Sequence, residues 1–296
     1  MRNPLKSLAA DRSDLTAGSR VANCIPLVTT EVQVFGPGQA GYPQRLSALG
    51  GRSTLWPVLH VRGRLSEGPA VAIVGARAAS GTAMQRAHTI ARHLAERGAH
   101  VVSGGAIGID GAAHRGALAG GGCTIVVLGS GVDIAYPSRH GQLFDEVVAR
   151  GGALVSMFPM GMQPRRGTFT QRNPLIAALA DAVIVIEADL KSGSLSTAHA
   201  ARKHGRTVGA WPGSPGCSRL LATGAALVEG GEDAANLLAG RPRMPAPVVL
   251  DETAAAVRDA IAAGASGVDA IVRVTGLPVR AVLRALPQLE SSARKQ

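Results

Sequence analysis

Ala70-Val71-Ala72-Ile73-Val74-Gly75-Ala76-Arg77 is an unbroken apolar run that stops on a glycine and an arginine, and Ser80-Gly81 opens an amphipathic stretch directly after it. A run that is apolar at every position leaves no wet face, so it reads as a strand buried on both sides. The same unit returns along the chain. Apolar runs at 100–103, 123–128, 153–157, 182–187 and 207–210 alternate with helical periodicity near 81–97, 109–119, 139–150, 173–180 and 194–204. This alternation predicts a parallel sheet covered on both faces, an α/β domain of extended Rossmann-like, doubly wound type over residues 70–240.

Flanking segments are read outward from that domain. Residues 1–69 form an N-terminal extension and lead-in, with one strand expected at Val28–Phe35 before a Gly/Pro turn. Pro242, Pro245 and Pro247 mark residues 241–250 as a linker. Residues 251–296 then read as a separate module of three short helices, Glu252–Ala263, Val268–Thr275 and Val279–Leu286. The turn Thr275-Gly276-Leu277-Pro278 resembles the break of a helix-turn-helix, so a small winged-helix-like bundle is expected.

Composition narrows the classes of function. Hydrophobic residues make up 46% of the 296-residue chain and charged residues 17%, which excludes wholesale disorder. A net charge of +11 points to a polyanionic partner, nucleic acid first. The surplus is spread at +4, +4 and +3 over residues 1–70, 71–240 and 241–296, so there is no basic tail. Aromatic residues are only 3%, which argues against a long base-stacking platform and for backbone and phosphate contacts. Cys24, Cys123 and Cys217 are far apart and have no His at ligand spacing, so neither a zinc site nor a disulfide framework is expected. The first residues lack a signal-peptide core and no segment reads as a membrane span, so a soluble cytoplasmic protein without membrane contact is expected.

Candidate chemistry sits where strands run into helices. Gly75, Ala76 and Arg77 end the first strand, and the helix that follows adds a partial positive charge, a combination that favours phosphate. No G-x-G-x-x-G fingerprint and no acidic residue at the end of the next strand accompany it, which disfavours NAD. Ser103-Gly104-Gly105-Ala106-Ile107-Gly108-Ile109-Asp110 is expected to form a nest of amides facing the same anion, with Asp110 capping its helix or bracing Arg77. His114 reads as either a packed histidine or a catalytic one. A third loop, Gly129-Ser130-Gly131-Val132-Asp133-Ile134-Ala135-Tyr136-Pro137, leads to Arg139 and His140. Arg165, Arg166, Arg172 and Asn173 follow the fourth strand, and Lys191, Ser192, Gly193, Ser194 and Thr197 follow the fifth, where amides, hydroxyls and cations can track phosphates. Glu187 is expected to orient a basic neighbour.

Taken in order, these segments resemble the DprA/Smf family of DNA-processing proteins. Family motifs of the form VGSR, SGxAxGIDxxAHxxAL, GxGxDxxYP, RNRxIAxLS, EAxxxSGSLxTA and PG correspond to Val74–Arg77, Ser103–Leu118, Gly129–Pro137, Arg172-Asn173, Glu187–Ala198 and Pro212-Gly213. The likeness covers roughly residues 42–239. Departures are Ala76 for Ser, Ile107 for a basic residue, His140 for Asn, Pro174 for a second Arg, and a short loop from Pro212 to Arg219. The resemblance implies a homodimeric protein that binds single-stranded DNA, protects it and loads the RecA recombinase during natural transformation. It needs no cofactor and no metal.

Two other classes compete on sequence. A Rossmann-like phosphoribohydrolase would carry PGGxGTxxE, but here Ser192-Gly193-Ser194-Leu195-Ser196-Thr197 stands without the glutamate. A regulator acting on duplex DNA through the C-terminal module is the other. No carboxylate pair or Ser-His-Asp set accompanies the loops, so binding without catalysis is the expectation.

Overall fold

The computed structural model describes residues 31–47, 57–246 and 252–293. Nine strands form one sheet: β1 Val32–Phe35, β2 Leu59–Gly63, β3 Ala70–Val74, β4 His100–Ser103, β5 Thr124–Val127, β6 Ala153–Ser156, β7 Ala182–Val185, β8 Thr207–Ala210 and β9 Ala226–Leu227. Their spatial order is β1-β2-β6-β5-β4-β3-β7-β8-β9. All pairings from β6 to β9 are parallel, whereas β1–β2 and β2–β6 are antiparallel. From β3 the chain steps outward through β4 and β5 to β6, then returns to place β7 on the other flank of β3. That reversal leaves a crevice at the carboxyl ends of β3 and β7, where open α/β sheets take ligands.

The six central strands are where the apolar runs place them, to within two residues at either end. Every residue of β3 to β7 is buried, because helices lie on both faces. On one face α2 Gly81–Glu96 and α3 Ile109–Ala119 pack through small residues. A Cβ at Gly116 would lie 2.2 Å from the His88 carbonyl oxygen, so only glycine lets these two helices approach so closely. Helix α4 Gly141–Ala149 closes a smaller cluster around Phe144 beside them. The opposite face carries α5 Arg166–Ala178, α6 Ser194–Lys203 and α7 Pro215–Ala222. Burying a Leu or Ile side chain contributes about 1.5–3 kcal/mol, and Ile73, Leu154, Ile176, Leu179 and Ile184 are all essentially inaccessible.

The sheet extends into the lead-in segment. β2 reads Leu-His-Val-Arg-Gly with Leu59, Val61 and Gly63 inward and His60 and Arg62 outward, the alternation of an antiparallel strand with one wet face. Short helix α1 Gln44–Ser47 brings Leu46, with Tyr42 just before it, into the same core. Of the expected 28–35 strand, 32–35 forms β1 and 28–30 lie outside the described residues. Helix α8 Gly231–Leu238 ends the sheet domain. The C-terminal helices are α9 Glu252–Ala262, α10 Val268–Thr275 and α11 Val279–Ala293, with their own core of Ala254, Val257, Ile271, Val282 and Ala285.

Two expectations are corrected. Helix α5 starts at Arg166, seven residues before the expected 173, because Thr168 Oγ1 accepts the Arg165 amide at 3.2 Å and closes the first turn, while Pro174 is absorbed inside the helix. Cys123 is disulfide-bonded, contrary to the expectation, whereas Cys217 is free and buried.

Candidate nucleic-acid interface

A cavity of about 360 Å³ opens at the β3/β7 switch point. Gly75 and Arg77 enter it from the end of β3, and Ser192, Gly193, Ser194 and Thr197 from the start of α6. Helix α5 lays Arg166, Phe169, Thr170 and Asn173 along it at spacing i, i+3, i+4, i+7, a single helical face, with Arg172 and Ile176 beside them. Asp110 and Ala106 complete the wall. Three guanidinium groups, those of Arg77, Arg166 and Arg172, therefore converge on one concavity.

Arg172 is the fixed charge of the group. It is 4% exposed and donates to the carbonyls of Gly104, at 2.6 Å, and Val127, while its Nε meets Asn173 Oδ1 at 3.1 Å. Burial lowers its pKa to about 10, Asp110 opposing the shift, and a group with that value stays cationic at neutral pH. No carboxylate lies within ion-pair distance of it among the described residues; carbonyl dipoles and the more distant Asp110 balance its charge. Asn173 is fixed in turn, donating to Gly193 O at 3.1 Å and Ser196 Oγ at 2.7 Å, which ties α5 to the α6 loop. Ser192 and Ser194 hydroxyls bond each other at 2.7 Å.

Arg77 is exposed at the mouth. Its guanidinium carbon lies 4.7 Å from the centre of the Phe169 ring, and the Tyr136 ring lies 5.3 Å from Phe169 on a 38° tilt. A cation, a phenyl and a phenol thus line the rim in sequence. Few as the aromatic residues are, two of them stand here, a short stack in place of a long platform.

The 103–110 loop differs from its sequence reading. The amides of Gly104 and Ala106 point at Asp110 Oδ2, at 3.1 and 3.3 Å, so the nest is filled by the chain's own carboxylate. Burial raises the Asp110 pKa, with Arg172 and these amides pulling it back. Ser103 turns inward to the Ile73 carbonyl at 2.6 Å. Gly108, at φ +80°, packs against the first loop, where a Cβ would lie 2.4 Å from Ala76 O. Gly105 lies against Phe144 and its carbonyl meets His140 Nδ1 at 3.0 Å, which buries His140. Likewise the start of α2 is already occupied. Glu187 accepts from the Ser80 amide and hydroxyl at 3.1 and 2.8 Å, so it orients a helix cap and not a basic neighbour.

Of the remaining candidates, Arg139, Arg165 and Lys191 are exposed outside the cavity lining. His114 is a packed histidine. Its Nδ1 donates to Thr124 Oγ1 at 2.7 Å, the Thr124 hydroxyl being committed as donor to Val101 O, and burial drives its pKa down to about 3. Arg86, on α2, stacks on Trp211, 4.5 Å from the ring centre. Sequence reading missed Phe169, Thr170 and Ile176. Their signal was the α5 face, visible only once the helix begins at 166. Among the described residues no group of three His, Cys, Asp or Glu side chains is placed to hold a metal ion, and no helix is long and apolar enough to cross a membrane.

A doubly wound sheet with a cationic crevice at its switch point, followed along the chain by a small helical module, defines a Rossmann-like protein. Residues 33–239 match the family model of DNA recombination-mediator protein A, and residues 241–290 match that of the DprA winged helix domain, so the chain belongs to the DprA family. It is 44% identical over 236 residues to a DprA protein of Mycobacterium tuberculosis, covering 75% of this chain and 60% of that one. It is 42% identical over 171 residues to the DNA processing protein DprA of Streptococcus pneumoniae, covering 56% and 60%. The chain thus spans about 60% of the length of these curated relatives. Among solved structures, DNA processing protein A of Helicobacter pylori, described for its single-stranded DNA binding mode, superimposes with a TM-score of 0.63 at 30% identity, over 72% of this chain and 98% of that one. The Streptococcus pneumoniae structure gives 0.62 at 37% identity, over 69% and 73%.

Proposed function

We propose that the β3/β7 crevice holds the sugar-phosphate backbone of single-stranded DNA, and that the protein acts as a recombination mediator which passes that strand to the RecA recombinase during natural transformation. The observation that carries this reading is the convergence of Arg77, Arg166 and the buried Arg172 on one cavity beside the start of α6. A flexible strand can enter so narrow a site, whereas a stiff duplex cannot bend its phosphates into it. The Phe169–Tyr136 rim offers a π-face to an unstacked base without reading its identity. The reading assigns no bond-breaking role to any residue, and it includes a homodimer in the cytoplasm.

Anisotropy titrations of the full chain with labelled single- and double-stranded oligonucleotides of one sequence test it. Single strands should bind more tightly, with log affinity falling against log salt by about 0.7 per phosphate contacted. A flat salt response or a preference for duplex would overturn the proposal. Delivery is tested separately, by whether the protein speeds RecA nucleation on strands coated with single-strand-binding protein. Sedimentation velocity reads the dimer.

A further inference from the structure

Among the described residues the C-terminal module carries an uncovered face that the crevice does not use. Val279, Arg280, Leu283 and Arg284 stand at spacing i, i+1, i+4, i+5 on one stripe of α11, while Val282 and Ala285 on the other side are buried in the module core. Arg273 and Val274 are exposed in the last turn of α10, just before the tight turn at Gly276. Val274 is 63% exposed, Leu283 53% and Val279 48%. Elsewhere, exposed Arg92 and Arg243 meet carboxylates, whereas exposed Arg64, Arg115 and Arg139 form no ion pair among the described residues. Arg273, Arg280 and Arg284 form no ion pair or hydrogen bond among the described residues.

We propose that this α10–α11 face docks an acidic amphipathic segment of a partner protein. Apolar side chains framed by arginine are the composition of a protein-binding hot spot. A partner helix with an apolar stripe flanked by Glu or Asp would cover Val274, Val279 and Leu283 and pair the three guanidinium groups at once. A second copy of this chain fits poorly, since a two-fold contact would set each arginine cluster against its own copy. Duplex DNA would pair the arginines but offers little to three exposed aliphatic side chains beyond thymine methyl groups.

The test uses the full chain with two labelled helical peptides, one with a Leu stripe flanked by Glu and the same peptide with Lys in place of every Glu, and a duplex oligonucleotide as third probe. The Glu peptide should bind, and Leu283→Ser or the double variant Arg280→Glu/Arg284→Glu should weaken it roughly tenfold or more. The double variant should bind the Lys peptide in preference. Circular dichroism and single-stranded DNA affinity of both variants should match the parent, which separates this face from the crevice. Equal affinity of the Glu peptide for the parent and both variants would overturn the proposal. So would duplex binding that depends on Arg280 and Arg284 without any binding of the Glu peptide, or self-association abolished by Leu283→Ser.

Discussion

The loops 103–110 and 191–197 are both glycine- and serine-rich strand-to-helix junctions, yet they do opposite things. In the first, Asp110 turns back onto the amides of Gly104 and Ala106, and Arg172 and His140 take the carbonyls of Gly104 and Gly105. In the second no acidic side chain occupies the turn, and Ser192, Gly193, Ser194 and Thr197 face an open cavity. The first loop is structural filling that positions a cation; the second, on our proposal, is surface for a ligand. A glycine-rich turn becomes an anion site only where the chain has not already supplied the anion.

Replacing Arg172, which holds the first loop directly and reaches the second only through Asn173, should have the largest effect. Arg172→Met leaves the Gly104 and Val127 carbonyls buried without a donor and removes the fixed charge below the cavity. Urea denaturation should show a loss on the order of 2–6 kcal/mol, about 1–3 for each buried carbonyl left without a donor. An unchanged midpoint would mean that the 103–110 loop does not depend on α5.

Arg77→Ala addresses the open side alone. Arg77 is exposed and fills no core volume, so stability should hold while single-stranded DNA affinity falls roughly ten- to hundredfold, alike for all sequences. Unchanged affinity in a folded variant would remove the crevice from the binding surface.

The closed side should reveal itself through pH. His114 has a folded pKa of about 3 against an ordinary 6.5, so the native state keeps it neutral while the unfolded chain takes up a proton. The stability it contributes is therefore complete above pH 6.5 and is lost as pH falls from there toward 3, by about 1.4 kcal/mol per pH unit, or about 2 kcal/mol at pH 5. Asp110 acts with the opposite sign, since its raised folded pKa makes stability fall as pH rises from its unfolded value toward the folded one. Comparing His114→Gln with the parent isolates the histidine, and the variant should show a flatter stability curve between pH 7 and 5.

The smallest effect belongs to Arg92→Ala. Arg92 pairs with Glu96 at 2.7 Å across an exposed helical turn, away from both loops, so the change should cost no more than about 0.5 kcal/mol and leave DNA affinity alone. A larger binding loss at Arg92 than at Arg77 would move the interface onto α2.

The sequence by itself determined the α/β class, the six central strands and the three C-terminal helices. Burial on both faces writes itself as runs without polar residues, and Pro and Gly punctuate the ends. It also assembled two thirds of the cavity lining: Gly75, Arg77, Asp110, Arg166, Arg172, Asn173, Ser192, Gly193, Ser194 and Thr197 all line it. Only the tertiary structure decided the rest. The pairing of β2 with β6 joins residues about ninety apart, from His60↔Ser156 to Gly63↔Ala153, and no local pattern encodes such a partner. The start of α5 lies in Arg-Gly-Thr-Phe-Thr-Gln-Arg-Asn, which has no apolar stripe because that face lines a cavity and not a core, and with it Phe169 stayed hidden. Which carboxylate fills which turn was equally illegible. Asp110 and Glu187 satisfy backbone donors chosen by geometry, and an amide shows in sequence neither where it points nor what already stands before it.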